Sequence, residues 1–188
     1  MNLSGQDILF LQNRVAYLRD QKAYKDLFFH FYTSLYRFAY NLTRNPEISE
    51  EIVSDVMMNI WDLDAKLAQV EKLNLYLFTS VKNSALTYLT KNRAEQLVID
   101  EKIENSVFNK NDNPEYYLLL SEIEQKIEAS VKSLPPQCQM VYRLIKEEGF
   151  SYKEVSTTLQ ISQNTIETHM RIALKKIRLA LDQYLVGK

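Results

Sequence analysis

Apolar residues return every third or fourth position over most of this chain, and residues that would interrupt such a rhythm are nearly absent. Its 188 residues include only 3 Gly and 4 Pro. Nearly all of these breakers fall between the periodic segments. A sheet protein needs more turn residues than this, because Gly and Pro supply the backbone angles that tight turns require. The sequence therefore predicts an all-α fold. Hydrophobic residues make up 46% and charged residues 25%, an ordinary balance for a globular protein that argues against disorder. One Cys cannot close an internal disulfide, and one Cys with two His cannot complete a structural zinc site. The four-residue apolar run Ile8 to Leu11 is shorter than the roughly 7–15 residues of a signal-peptide core. No segment approaches the ~20 apolar residues that cross a bilayer. The chain reads as cytoplasmic.

The periodicity predicts a first helical block from about Asp7 to Asn45, with Leu27, Phe31, Leu35, Phe38 and Leu42 on one face. Pro46 stops it, since the residue before proline is pushed out of the α region. Ser49 is expected to cap the next helix, with Glu50 and Glu51 in the first turn where the helix dipole favours negative charge. That helix turns Ile52, Val56, Ile60 and Trp61 inward. A further helix, about Leu73 to Arg93, buries Leu77, Val81, Ala85 and Leu89. The polar run Asn109 to Asn113 has no period, and 96–113 is expected to be a flexible linker between two small domains, 1–95 and 114–188. Pro114 restarts helix after a capping Asn113, with Leu119, Ile123, Ile127 and Val131 on its inner face. After Leu134-Pro-Pro136, the next helix runs towards Gly149 on Val141, Leu144 and Ile145.

Net charge is −1, but its distribution is uneven. Residues 44–63 hold Arg44 against Glu47, Glu50, Glu51, Asp55 and Asp62. Residues 151–188 hold six cations against three carboxylates. An acidic and a basic surface in one chain suit two kinds of partner.

Gly149 to His169 carries the strongest local pattern. Ser151 followed by Glu154 forms a capping box, Gln160-Ile161 makes a tight turn, and Ser162 caps a last long helix. This is the helix-turn-helix plan. Ser156 is small where the two helices cross, and Gln160 occupies a turn position where a positive φ would favour glycine. Ile166, Met170, Ala173 and Ile177 face inward on the last helix, while Asn164, Thr168, Arg171 and Lys175 share the opposite face. A helix in the major groove needs such a face, with amides and hydroxyls for base edges followed by cations for phosphates.

From about Tyr24 to Tyr184 the chain resembles the extracytoplasmic-function (ECF) group of sigma-70-type RNA polymerase sigma factors. The resemblance rests on Ser49 to Trp61, then Leu75-Tyr-Leu-Phe-Thr-Ser-Val-Lys-Asn83, then Leu134-Pro-Pro-Gln and the helix-turn-helix. Ser54, Met57 and Tyr76 stand where the family often has Gln, Phe and Trp. The resemblance implies that Glu50, Glu51, Asp55, Met58 and Asn59 dock on the clamp coiled coil of the largest polymerase subunit. It implies that Asn83 captures an unpaired base of the promoter −10 element while Lys82, Lys91, Asn92 and Arg93 follow the strand. It assigns −35 reading to Asn164, Thr165, Glu167, Thr168, His169, Arg171 and Lys175. An anti-sigma factor is the further partner implied, and no enzymatic activity, cofactor or metal is expected.

His30 among aromatic residues reads as a satisfied, half-buried histidine, Phe78 as core, and Cys138 as a small core residue. The tyrosines, 12 in number, mostly fall at helical spacing and read as packing. A rival class is a stand-alone helix-turn-helix regulator with an N-terminal sensing or dimerisation half, which would bind DNA without polymerase, usually as a symmetric dimer. A helical adaptor without a DNA role is the other. The acidic helix ending in Trp61 speaks against the first, and the two are told apart from a sigma factor by polymerase dependence and by the effect of Arg171→Ala.

Overall fold

The computed structural model describes residues 3–95 and 122–186. Among these residues every regular element is helical, and the helices form two compact units. The expected linker at 96–113 and the restart at Asn113-Pro114, with Leu119, lie outside the described residues.

The first unit contains α1 (Gly5–Leu18), α2 (Gln21–Thr43), α3 (Pro46–Asp62), a 3-10 segment (Asp64–Gln69) and α4 (Leu73–Glu95). The expected first block is thus two helices. Arg19 ends α1 in the left-handed region (φ 50°, ψ 39°), its N–H turning back to the carbonyls of Arg14 and Val15. Asp20 then starts α2 by accepting the N–H groups of Lys22 and Ala23 at 2.9 and 3.1 Å. Neither residue is Gly or Pro, so periodicity ran through the corner unmarked. Ser4 and Asp7 close a capping box at the other end of α1.

The start of α3 also departs from expectation. Asn45 is the cap, extended before Pro46 (φ −126°, ψ 119°), and its side chain accepts the Ile48 N–H at 3.1 Å. Ser49 lies inside the helix and is buried. Its hydroxyl donates to the Asn45 carbonyl at 2.6 Å and lies 2.8 Å from the Thr43 hydroxyl. Ser49 therefore ties α3 to the end of α2.

α2 packs on α1, α3 and α4, and its Leu27, Phe31, Leu35 and Phe38 are buried. Ile52, Val53, Val56, Met57 and Ile60 of α3 and Leu77, Phe78, Val81 and Ala85 of α4 are buried as well. Phe78 meets Phe38 edge-on at 5.1 Å. Leu42, Trp61 and Leu89 are half-buried rather than core. Buried Gln12 on α1 donates to the carbonyls of Leu67 and Val70 at 2.7 and 2.8 Å, holding the 3-10 segment against α1.

The second unit contains α5 (Glu122–Lys132), α6 (Pro136–Lys146), α7 (Tyr152–Leu159) and α8 (Gln163–Val186), with α8 packed on the other three. Val131, Leu134, Cys138, Ala173 and Ile177 form one buried cluster, backed by half-buried Ile127. Ile123, expected inside, is 47% exposed at the first turn of α5. Gly149 (φ 72°) turns the chain after α6 so that the Phe150 N–H reaches the Leu144 carbonyl at 2.9 Å. No helix among the described residues is long and apolar enough to cross a membrane.

Candidate nucleic-acid and partner interfaces

In α7 and α8 the local rules hold residue by residue. The Ser151 hydroxyl accepts the Glu154 N–H at 3.3 Å, and the Glu154 carboxylate accepts the Ser151 N–H at 2.8 Å. Gln160 takes the left-handed conformation (φ 56°) that the turn demands. Ser156 donates to the Ile161 carbonyl at 2.7 Å and so fastens that turn to α7. Ser162 accepts the Thr165 N–H at 3.1 Å and opens α8.

Ile166, Met170, Ala173 and Ile177 are buried, which turns Asn164, Glu167, Thr168, Arg171 and Lys175 outward. Thr168 donates its hydroxyl to the Asn164 carbonyl at 2.9 Å, leaving that oxygen as an acceptor for an outside donor. Thr165 is half-buried and its hydroxyl lies 2.9 Å from that of Ser162. His169 is half-buried too, its Nδ1 3.0 Å from the Cys138 Sγ. A shallow groove beside Arg171 and Lys175 also takes in Tyr152 and Arg178. Sequence spacing did not single out those two; Tyr152 begins the preceding helix, and only the packing of α7 on α8 brings it here.

On α3 the buried residues leave Glu50, Glu51, Asp55, Met58 and Asn59 exposed together, with Met58 at 62%. Glu50 and Asp62 border a ladder of rings on α2. Phe28 and Tyr32 stack at 5.3 Å, Tyr32 and Tyr36 at 6.2 Å, and Tyr36 and Tyr40 at 6.3 Å. Burial, reinforced by the charge of Glu50, pushes the Tyr32 and Tyr36 phenols above their ordinary value. Burial and then Asp62 do the same to Tyr24. These phenols remain neutral beside the carboxylates.

Trp61 closes this ridge. Tyr24 meets its ring edge-on at 5.1 Å, and the Arg19 guanidinium covers it at 4.1 Å. The same guanidinium donates to the Trp61 carbonyl and to the Asp64 carboxylate.

On α4, Asn83 and Lys91 are exposed, whereas Lys82 is buried at 7% and does not share their face. Leu86, one turn beyond Asn83, is exposed beside it. The side chains of Asn92 and Arg93 lie outside the described residues. His30 is half-buried against Phe31, their rings 4.7 Å apart. Among the described residues no group of three or more His, Cys, Asp or Glu could hold a metal ion.

Comparison with known proteins identifies the class. Residues 27–95 match the family description "Sigma-70 region 2" and residues 124–177 match "Sigma-70, region 4", so the chain belongs to the sigma-70 family. Within it, the relatives are of one group. The ECF RNA polymerase sigma factor SigK of Mycobacterium tuberculosis is 24% identical over 190 residues, covering 95% of each chain. SigM of Bacillus subtilis, also an ECF sigma factor, is 20% identical over 77% of this chain and 86% of its own. Two solved structures share the fold. The sigma factor RpoE of Bartonella quintana, crystallised with the anti-sigma factor NepR, superposes with a TM-score of 0.52 at 20% identity, covering 86% of this chain and 98% of its own. CnrH, in complex with the cytosolic domain of CnrY, gives 0.51 at 16%, covering 94% and 98%. The protein is an ECF sigma factor: it directs RNA polymerase to promoters and does no bond chemistry itself.

Proposed function

We propose that the two helical units divide this work. The first, over 1–95, takes core polymerase on the acidic face of α3, with Glu50, Glu51 and Asp55 supplying charge and Met58 and Asn59 completing the contact with the clamp coiled coil. Exposed carboxylates backed by a rigid apolar underside suit a basic helical partner, because complementary charge speeds encounter and fixes register.

In the same unit, Asn83 captures a base of the −10 element. Flipped bases are held by hydrogen bonds to their edges and by apolar walls, and Leu86 stands where such a wall is needed. Lys91, with Asn92 and Arg93, follows the phosphates; Lys82, being buried, contributes its stem to the helix packing instead.

The second unit, over 114–188, reads the −35 element. Asn164 and Thr168 face base edges near the start of α8, and Arg171 and Lys175 meet phosphates further along. Glu167 suits a cytosine amino group, while Thr165 and His169 flank the contact. The observation that carries the reading is that Asn164, Thr168, Arg171 and Lys175 all lie exposed on one face of the helix that follows a doubly capped turn. Joined units gain from effective concentration, so each can bind DNA weakly alone.

Two of the similar structures were solved with an anti-sigma factor or with a partner's cytosolic domain. By that likeness an anti-sigma factor holds this chain inactive until a signal releases it.

The test is run-off transcription with core polymerase on the source genome, with and without this chain. New start sites are expected. Glu51→Lys with Asp55→Lys should abolish copurification with core enzyme, and Asn83→Ala should lower open-complex formation more than closed-complex binding. Unchanged start sites would overturn the reading.

A further inference from the structure

His169 stands on the seam of α8. One and two turns further on, Ala173 and Ile177 belong to the buried cluster, whereas its neighbour Thr168 and nearby Arg171 are exposed. The ring itself is half-buried. Cys138, near the start of α6, is 3% exposed within that same cluster, and its Sγ lies 3.0 Å from His169 Nδ1. Two titratable side chains separated by 31 residues thus meet where the core gives way to the outward face of the helix.

The protons of this pair can be placed. A neutral imidazole has one N–H donor and one bare acceptor nitrogen, while a thiol is a weak donor and a weaker acceptor. Burial pushes the Cys138 thiol above its ordinary value of 9.0, so it keeps its proton at neutral pH. The favourable arrangement therefore has S–H donating to Nδ1, which leaves the ring proton on Nε2. Nε2 points away from Nδ1 across the ring, and so away from the core that holds the sulfur.

The geometry points to Cys138 as a positioning residue, whose S–H locks His169 as the Nε2–H tautomer and aims that N–H as a hydrogen-bond donor at an acceptor on the −35 duplex. This rests on the reading of α8 as the −35 recognition helix. It assigns to a core cysteine, with no DNA contact of its own, a part in recognition. The tautomer of a histidine is commonly set in this way by the hydrogen bond at its other nitrogen.

The full chain with 15N-labelled histidine tests the lock directly. Long-range 1H–15N correlations are expected to show His169 as the Nε2–H form in the wild type and in Cys138→Ser, where a hydroxyl replaces the donor, and as a mixture of tautomers in Cys138→Ala. Holoenzyme binding to a promoter duplex recovered by run-off transcription reads the consequence. His169→Ala and Cys138→Ala should each weaken −35-dependent binding about two- to tenfold, the range set by one hydrogen bond, and Cys138→Ser should restore most of it. An Nδ1–H tautomer in the wild type overturns the proposal. So does a Cys138→Ala holoenzyme that binds like the wild type while His169→Ala is impaired. If His169→Ala is silent while Arg171→Ala is impaired, His169 leaves the interface and the proposal falls without the −35 reading. If all are silent, the −35 reading falls with it.

Discussion

Replacing Arg143 by Ala should cost the second unit about 2–4 kcal/mol. The guanidinium lies between two carboxylates, with Nη2 2.8 Å from Glu128 Oε1 on α5 and Nη1 2.5 Å from Glu147 Oε1 just past α6. The Arg143 side chain is only 14% exposed and that of Glu128 18%, whereas Glu147 is 40% exposed. Breaking a buried ion pair by deleting one partner typically costs about 3–5 kcal/mol, because the other charge stays behind without water or counter-charge. An exposed pair contributes only about 0–1 kcal/mol. Glu128 belongs near the first limit, while Glu147 can rehydrate, and the expected cost sits between them. Adding Glu128→Leu to Arg143→Leu removes the stranded charge, so the double variant should recover most of the loss. Hydrogen exchange followed by mass spectrometry, with peptides from 122–186 compared against 3–95 in increasing urea, measures the effect within the intact chain. A loss below about 0.5 kcal/mol, or a double variant no better than Arg143→Leu alone, would refute the assignment of a desolvated pair.

Thr158 is 2% exposed and its hydroxyl has no hydrogen-bond partner, so Thr158→Val, of the same shape, should raise stability by about 1 kcal/mol in thermal or urea unfolding. Arg171→Ala and Lys175→Ala should each reduce the slope of log binding constant against log salt by about one as a phosphate contact is lost, measured by holoenzyme titration on a −35 duplex. The hydrogen bond from the Ala23 N–H above all, with lesser help from the Lys22 N–H and Arg14, holds the Asp20 carboxyl below its ordinary 3.8 against the opposing effect of burial. A depressed folded value means that this stabilisation is present above pH 3.8 and is lost as pH falls through the lower value. Asp20→Asn should therefore flatten the acid decline of the first unit, seen by Trp61 fluorescence, while leaving a competent cap at neutral pH.

The helix-turn-helix was legible because its rules are local. Ser151 with Glu154 and Ser162 with Thr165 satisfy backbone groups three residues away, and these two caps bracket the turn even though Gln160 stands where glycine is favoured. The first corner was hidden because Arg19, a residue with no turn preference, adopts the left-handed conformation, and the interactions that hold it there come from Trp61 and Asp64, over forty residues away. Ser49 looked like a cap because Ser before Glu-Glu is a start signal, yet Asn45-Pro46 had already started the helix and left the hydroxyl free to bind Thr43 and Asn45. The exposure of Asn164, Thr168, Arg171 and Lys175 followed from a spacing of four, three and four. The burial of Lys82 did not, since its neighbour Asn83 points the other way and only the packing of α4 tells them apart. The pairing of Cys138 with His169 had no local signal at all.

Arg19 gives the first unit a latch. One side chain reaches from the turn between α1 and α2 to the end of the acidic helix, where it covers the indole and holds two oxygen acceptors. If these contacts couple the two distant corners, amide exchange at both should rise in step when the latch is cut. Trimming α1 should consequently loosen the acidic ridge of α3 from a distance, although α1 contributes no residue to that ridge.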